Sequence, residues 1–204
     1  SPMPVVSAAR AIRVAISGTG RMGTQLANSI AAAEGMEVTG FIDGLATPGT
    51  FDGHPLFADP AAFFEAVPSD VVIDFSNAAW TPILSRAALA AGCRPVIGTT
   101  GLPAEFMAWL EAECAARRTG AVVAANFAIG AVLMMHFARQ AARFFDSAEI
   151  IELHHDGKVD SPSGTARTTA DLMRAARPAP FLHRDSEIET LPGAFSLFAS
   201  CVRP

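Results

Sequence analysis

The sequence predicts an α/β protein in which a parallel, doubly wound sheet is followed by a smaller α+β domain, and three observations carry that prediction. From Ile12 onward, short apolar runs alternate with longer, alanine-rich amphipathic segments. A glycine cluster, SGTGRMG, falls directly between the first run and the first such segment. After Asn126 the alternation gives way to one long apolar segment, a single strand-like run and a polar turn containing two histidines. The chain of 204 residues is half apolar and 17% charged, which is enough to bury a sizeable core and too apolar for a disordered chain. Its formal net charge of -5, with no Lys/Arg cluster, argues against nucleic acid as a partner.

The elements follow in order. IRVAIS (12–17) reads as a strand, 21–33 as a helix, EVTGFI (37–42) as a second strand, 44–57 as a loop and 60–67 as a short helix. Then come the strand DVVIDF (70–75), a helix near 79–91, the strand RPVIG (94–98), a helix near 103–117 and the strand AVVAAN (121–126). Strands alternating with helices require right-handed crossovers and hence a parallel sheet. Beyond it lie a helix near 130–145, the strand AEIIELH (148–154) and a helix near 165–176. Residues 177–204 hold four of the fourteen prolines and the weakest periodicity. These patterns put a dinucleotide-binding domain at 1–127 and a substrate-binding domain at 128–204. Thr119 to Ala138 contains no Asp, Glu, Lys or Arg, but Gly120, Asn126, Gly130 and His136 divide it into a buried strand and a separate helix, so no membrane span is expected.

Gly18, Gly20 and Gly23 form G-x-G-x-x-G between a strand and a helix, the setting of a Rossmann-type phosphate loop. The first glycine permits a tight turn, the second lets backbone approach a pyrophosphate, and the third lets helix and strand pack closely. Thr19, Arg21 and Met22 complete the loop. Asp43 ends the second strand twenty residues past Gly23, where a carboxylate accepts hydrogen bonds from adenosine ribose hydroxyls. GLAT follows it, with no Arg or Lys to meet a 2'-phosphate, so NADH is the preferred cofactor and NADPH the second, Arg21 offering partial compensation.

The segment ELHHDGKVDSPSGT (152–165) concentrates proton carriers ahead of a turn that opens a helix. His154 ends a strand and Lys158 follows it; both can donate protons near neutral pH. Ser163, Gly164 and Thr165 present N–H groups and hydroxyls at a helix N-terminus, a seat for a substrate carboxylate. The chemistry these describe is reduction of a conjugated double bond in an anion, with hydride delivered to one carbon and a proton from His154 to its neighbour. Two other readings weigh less. A metal on His154 and His155 with Asp156 or Asp160 is disfavoured because neighbours on a strand point to opposite faces, so no metal is expected. Ser163 as a nucleophile lacks a G-x-S-x-G elbow.

The same stretch resembles the signature of the 4-hydroxy-tetrahydrodipicolinate reductases, also called dihydrodipicolinate reductases, of lysine and diaminopimelate biosynthesis. The pattern E-x-H-H-x-x-K-x-D-x-P-S-G-T-A is matched at Glu152, His154, His155, Lys158, Asp160, Pro162, Ser163, Gly164, Thr165 and Ala166. GTGRMG, IDFS (73–76), IGTTG (97–101) and AANFAIG (124–130) follow the family's order. The resemblance implies that His154 donates the proton, Lys158 assists and contacts substrate, His155 contacts substrate, and Gly164 and Thr165 bind its carboxylate. It also implies that Gly98, Thr99 and Thr100 lie along the nicotinamide, with Ala125, Asn126 and Phe127 near it at the junction of the domains. The substrate is then a small cyclic dicarboxylate and the family oligomer a homotetramer.

The resemblance covers about residues 12–176, and the ending LPGAFSLFASCVRP matches nothing in it. The second domain is therefore expected to be C-terminally incomplete, with a single confident strand, which counts against a family-type tetramer. It also raises an alternative: a truncated, weakly active or inactive relative that retains dinucleotide binding. An unrelated protein sharing only the phosphate loop is disfavoured by the intact signature. Three scattered cysteines, Cys93, Cys114 and Cys201, and no recognisable secretory signal point to the cytoplasm.

Overall fold

The computed structural model describes residues 10–124, 126–154, 162–182 and 197–201. The chain divides into two compact units, Ser1–Ala124 and Ala125–Pro204.

The first unit is built on β1 (Ile12–Ser17), β2 (Met36–Ile42), β3 (Gly49–Phe51), β4 (His54–Phe57), β5 (Val71–Asp74), β6 (Arg94–Ile97) and β7 (Val122–Val123). Its helices are α1 (Arg21–Ala31), α2 (Pro60–Ala66), α3 (Thr81–Ala90) and α4 (Ala104–Arg117). The seven strands lie in the order β3-β4-β2-β1-β5-β6-β7, and every neighbouring pair is parallel except β3 with β4. β1 is buried on both faces, which is why it reads as an unbroken apolar run rather than an alternating one. Val14 and Ile16 pack with Ala27 and Ile30 of α1 and with Phe41, while Ala15 packs on the other side with Phe63, Leu84 and Ala88. Burying a side chain such as Phe63 stabilises the fold by about 2–3 kcal/mol.

The helices begin and end where local chemistry dictates. Asp59 caps α2 by accepting a bond from the Ala62 N–H at 3.0 Å, with Pro60 in the first turn. α4 stops at Arg118, whose left-handed φ of 52° breaks the helical path.

The expected loop at 44–57 is instead partly a β-hairpin. β3 and β4 meet at Asp52 and Gly53, whose φ values of 50° and 76° give the tight Asp-Gly turn that matches strand twist. The strands are too short for alternation to show, and Pro55 stands within β4, paired with Thr50.

The second unit contains α5 (Ile129–Ala141), β8 (Glu149–Leu153), α6 (Gly164–Ala175) and β9 (Leu197–Cys201). The expectation of a single strand beyond residue 128 is corrected: β9 runs antiparallel to β8, with Glu149 opposite Cys201 and Leu153 opposite Leu197. A strand bonded to a partner so distant in the chain carries little local signal of its own. Ala142, Met173 and Phe181 form the unit's small core, against Ile150 and Ala170. The apolar stretch from Thr119 is shared between β7 and α5, and no helix among the described residues is long and apolar enough to cross a membrane.

Candidate functional site

In the first unit the chain passes from β1 to β2 on one side and resumes at β5 on the other, so the strand order reverses at β1 and β5. Crevices form at such switch points, outside the carboxyl ends of the strands. Here a cleft of about 300 Å³ opens there, lined by Gly18, Asp43, Gly44, Asn77 and Trp80 among others.

The three glycines of the loop do three different things. Gly18 takes a φ of 92°, which a side chain would strain. A Cβ on Gly23 would lie 2.1 Å from the Gly18 carbonyl oxygen, so α1 can pack against the loop only with glycine there. A Cβ on Gly20 would meet nothing within 4 Å among the described residues, so the fold itself does not demand its smallness. Gly20 is also the N-cap of α1 and offers no side-chain cap, which leaves the first-turn N–H groups to a ligand. These residues fit a dinucleotide pyrophosphate. Arg21 and Met22 are exposed on the first turn.

Asp43 is held firmly. Its Oδ2 accepts bonds from the Thr19 N–H at 3.0 Å and the Thr19 hydroxyl at 2.8 Å, and its Oδ1 accepts one from the Leu45 N–H at 3.0 Å. Partial burial pushes its pKa up, but the bonds from the Thr19 hydroxyl and the two N–H groups outweigh it and leave the carboxyl below its ordinary value. The acid is thus ionised and keeps a lone pair on Oδ1 for a further donor.

The segment 98–100 follows β6. Gly98 donates its N–H to the Asp74 carbonyl at 2.8 Å, and a Cβ there would lie 2.1 Å from the Phe75 ring. Thr99 is buried, and its hydroxyl has no hydrogen-bond partner among the described residues. Thr100 is exposed.

In the second unit Glu152 is the connecting group. Its Oε1 accepts the Ser163 N–H at 2.8 Å, and its Oε2 lies 3.9 Å from His154 Nδ1. Glu152 and His154 are two apart and share a face of the strand direction, which is what brings the carboxylate to the imidazole. Ser163 caps α6 by accepting the Ala166 N–H at 3.1 Å, so its buried hydroxyl is structural as well as a neighbour of the proposed carboxylate seat. Thr165 Oγ1 accepts a bond from Asn126 Nδ2 at 3.4 Å, and Asn126 Oδ1 accepts the Ala128 N–H at 2.8 Å. Gly164 opens α6, and Phe127 is exposed. His154 is about one third exposed (34%). His155, Lys158 and Ala125 lie outside the described residues, as do Asp156 and Asp160. Among the described residues no group of three or more His, Cys, Asp or Glu is placed to hold a metal ion.

Sequence reasoning did not single out Glu152 as a working group, although its two-residue spacing from His154 was the available signal. It also missed Trp80, Gly44 and Asp74. Asp74 is almost fully buried (1% exposed) and accepts bonds from the Thr81 hydroxyl at 2.5 Å and the Ser76 N–H at 3.1 Å, which fixes the turn beneath the cleft.

Two family models match the chain: "Dihydrodipicolinate reductase, N-terminus" over residues 12–127 and "Dihydrodipicolinate reductase, C-terminus" over residues 130–193. The second match runs past residue 176, where the sequence reading ended its resemblance. The chain is 42% identical over 192 residues to the 4-hydroxy-tetrahydrodipicolinate reductase of Moorella thermoacetica, covering 90% of this chain and 72% of that one. Among solved structures, the dipicolinate-bound dihydrodipicolinate reductase of Paenisporosarcina sp. TG-14 aligns with a TM-score of 0.71 and 35% identity over 90% of this chain and 73% of that one. A scyllo-inositol dehydrogenase of Lactobacillus casei, solved with NAD(H) and scyllo-inositol, shares the fold at a TM-score of 0.62 and 15% identity, covering 82% of this chain and 56% of that one.

Proposed function

The chain belongs to the dihydrodipicolinate reductase family, and from that premise we propose that it reduces 4-hydroxy-tetrahydrodipicolinate with a nicotinamide dinucleotide, in diaminopimelate and lysine biosynthesis. The observation that carries this reading is the Glu152 bridge, which ties the histidine at the end of β8 to the turn that opens α6. A proton carrier and a carboxylate seat are thereby held by one side chain.

The dinucleotide, when bound, would supply a hydride to a carbon of the conjugated double bond that forms once the substrate's 4-hydroxyl has left as water. The remaining work belongs to the chain. The α6 N-terminus, through Gly164 and Thr165, takes a substrate carboxylate on its first-turn N–H groups. His154 delivers a proton to the atom next to the reduced carbon, and Lys158 assists it and pairs with carboxylate charge. In the first unit, Gly18, Gly20 and Gly23 take the pyrophosphate, while Asp43 accepts an adenosine ribose hydroxyl through Oδ1. NADH is the preferred dinucleotide, because the ionised Asp43 repels a 2'-phosphate. We also assign the enzyme to the cytoplasm, on its cysteine usage. A dinucleotide-binding relative without activity is the less favoured reading, since the family match takes in both units.

The test is turnover of enzymatically generated substrate, followed by the fall in NADH absorbance. Dicarboxylate-dependent oxidation of NADH is expected. Its absence from a protein that still binds the dinucleotide would remove the reductase reading.

A further inference from the structure

Trp80 stands at the start of α3 and is fixed at both ends. Its indole Nε1 donates to the Ser17 hydroxyl at 3.0 Å, and its backbone N–H donates to the Asn77 side-chain oxygen at 3.0 Å. The six-membered edge of the ring lies over Gly44: a Cβ on that glycine would stand 2.5 Å from Cζ3 and 2.9 Å from Cη2. Gly44 directly follows Asp43, so it is the position from which a cationic side chain could reach a phosphate on the ribose that Asp43 contacts. The ring occupies that path. Leu45, fully exposed, and Ile83, one turn beyond Trp80 on α3, add apolar surface to the same cleft, and no Lys or Arg lines it among the described residues.

We propose that Trp80 is a specificity-determining residue: its ring forms the wall against which the adenine of the cofactor lies, and by excluding any side chain at Gly44 it restricts the cleft to an unphosphorylated adenosine ribose. The inference rests on the dinucleotide reading of this cleft. It adds to the charge argument from Asp43 a steric one, in which cofactor choice is set by a pair of positions and not by one. A flat base on an indole face is a favourable and sequence-independent contact.

The experiment titrates ADP-ribose and its 2'-phosphate into the full chain and into four variants, by calorimetry. Wild type is expected to favour ADP-ribose. Trp80→Ala should weaken both ligands by about tenfold, in line with the usual worth of a base–aromatic stack, and Trp80→Phe should retain most of the wild-type affinity because it keeps the ring. Gly44→Arg alone should gain nothing for the 2'-phosphate, whereas Gly44→Arg with Trp80→Ala should shift the ratio of the two Kd values by at least tenfold toward the 2'-phosphate. Thermal melting of each variant separates loss of fold from loss of contact. Unchanged affinities in a folded Trp80→Ala variant, or a gain for the 2'-phosphate in Gly44→Arg with Trp80 in place, would overturn the inference while leaving the dinucleotide reading intact. Equal wild-type affinity for the two ligands would do the same. A wild type that binds neither ligand would overturn both.

Discussion

Glu152 and Ser163 are joined by a 2.8 Å hydrogen bond across eleven positions of the chain, from the serine N–H to the carboxylate. The bond fastens the end of β8 to the start of α6, and the carboxylate's second oxygen faces His154. Glu152→Gln keeps an oxygen for the Ser163 N–H but removes the charge beside the imidazole. It is expected to leave the melting temperature nearly unchanged while lowering kcat. Glu152→Ala also strands the N–H and should cost about 1–3 kcal/mol of stability. Equal kinetics for Gln and wild type would confine Glu152 to a structural role.

His154→Ala is expected to lower kcat by roughly 10²–10⁴-fold, the worth of a positioned general acid, with NADH affinity preserved. Steady-state kinetics with a parallel NADH titration checks it. A matching loss of dinucleotide binding would rule out the proton-donor assignment.

Asp43→Ala removes both the proposed ribose acceptor and the partner of Thr19, so NADH should bind more weakly and the loop should loosen. Because the ionised carboxylate repels a 2'-phosphate, NADPH should lose less. The ratio of NADH to NADPH Kd values, measured before and after substitution, is expected to move toward NADPH. A fixed ratio would leave Asp43 as a cap for Thr19 and Leu45 alone.

The last two glycines of the loop should part company under substitution. Gly23→Ala drives a methyl into the Gly18 carbonyl, and overpacking of that kind costs about 1–3 kcal/mol. Gly20→Ala meets no atom of the described residues, so it should melt close to wild type yet bind dinucleotide weakly. Calorimetric melting alongside NADH titration distinguishes them.

Asp70 supplies a pH prediction. Side-chain bonds from Arg10 and Arg13, and the Arg13 N–H, hold its carboxyl well below the ordinary range. A folded-state pKa below the unfolded value of about 3.9 contributes stability that is complete above about pH 5 and is lost as the pH falls. Asp70→Asn is therefore expected to be less stable at neutral pH and to lose less on acidification. Melts recorded from about pH 7 down to pH 3 would show it, and parallel curves for the two proteins would refute it.

Much of the first unit was legible because its signals are local. β1 advertises burial on both faces through Val14, Ala15 and Ile16, and the phosphate loop advertises itself because Gly18 and Gly23 are demanded by backbone geometry within six residues. What stayed hidden was long-range or short. The β3–β4 hairpin is built from strands of three and four residues, below the length at which alternation registers. β9 takes its bonds from a strand far away in sequence. The Trp80–Ser17 bond spans 63 positions, so no window along the chain could reveal that Gly44 is a glycine for the sake of an indole.

The hairpin also has two unequal ends. At its base the Phe57 carbonyl accepts the Asp43 N–H at 2.9 Å, so the last residue of β4 props up the acid of the cleft. At its tip, Asp52 and Gly53 are exposed, and neither is among the described residues that line the cleft. For protein engineering this makes the tip the place to graft an epitope or a fluorophore without disturbing cofactor chemistry. A single residue inserted at the base, by contrast, would slide β4 along β2 and retune an enzyme whose reacting groups had not been touched.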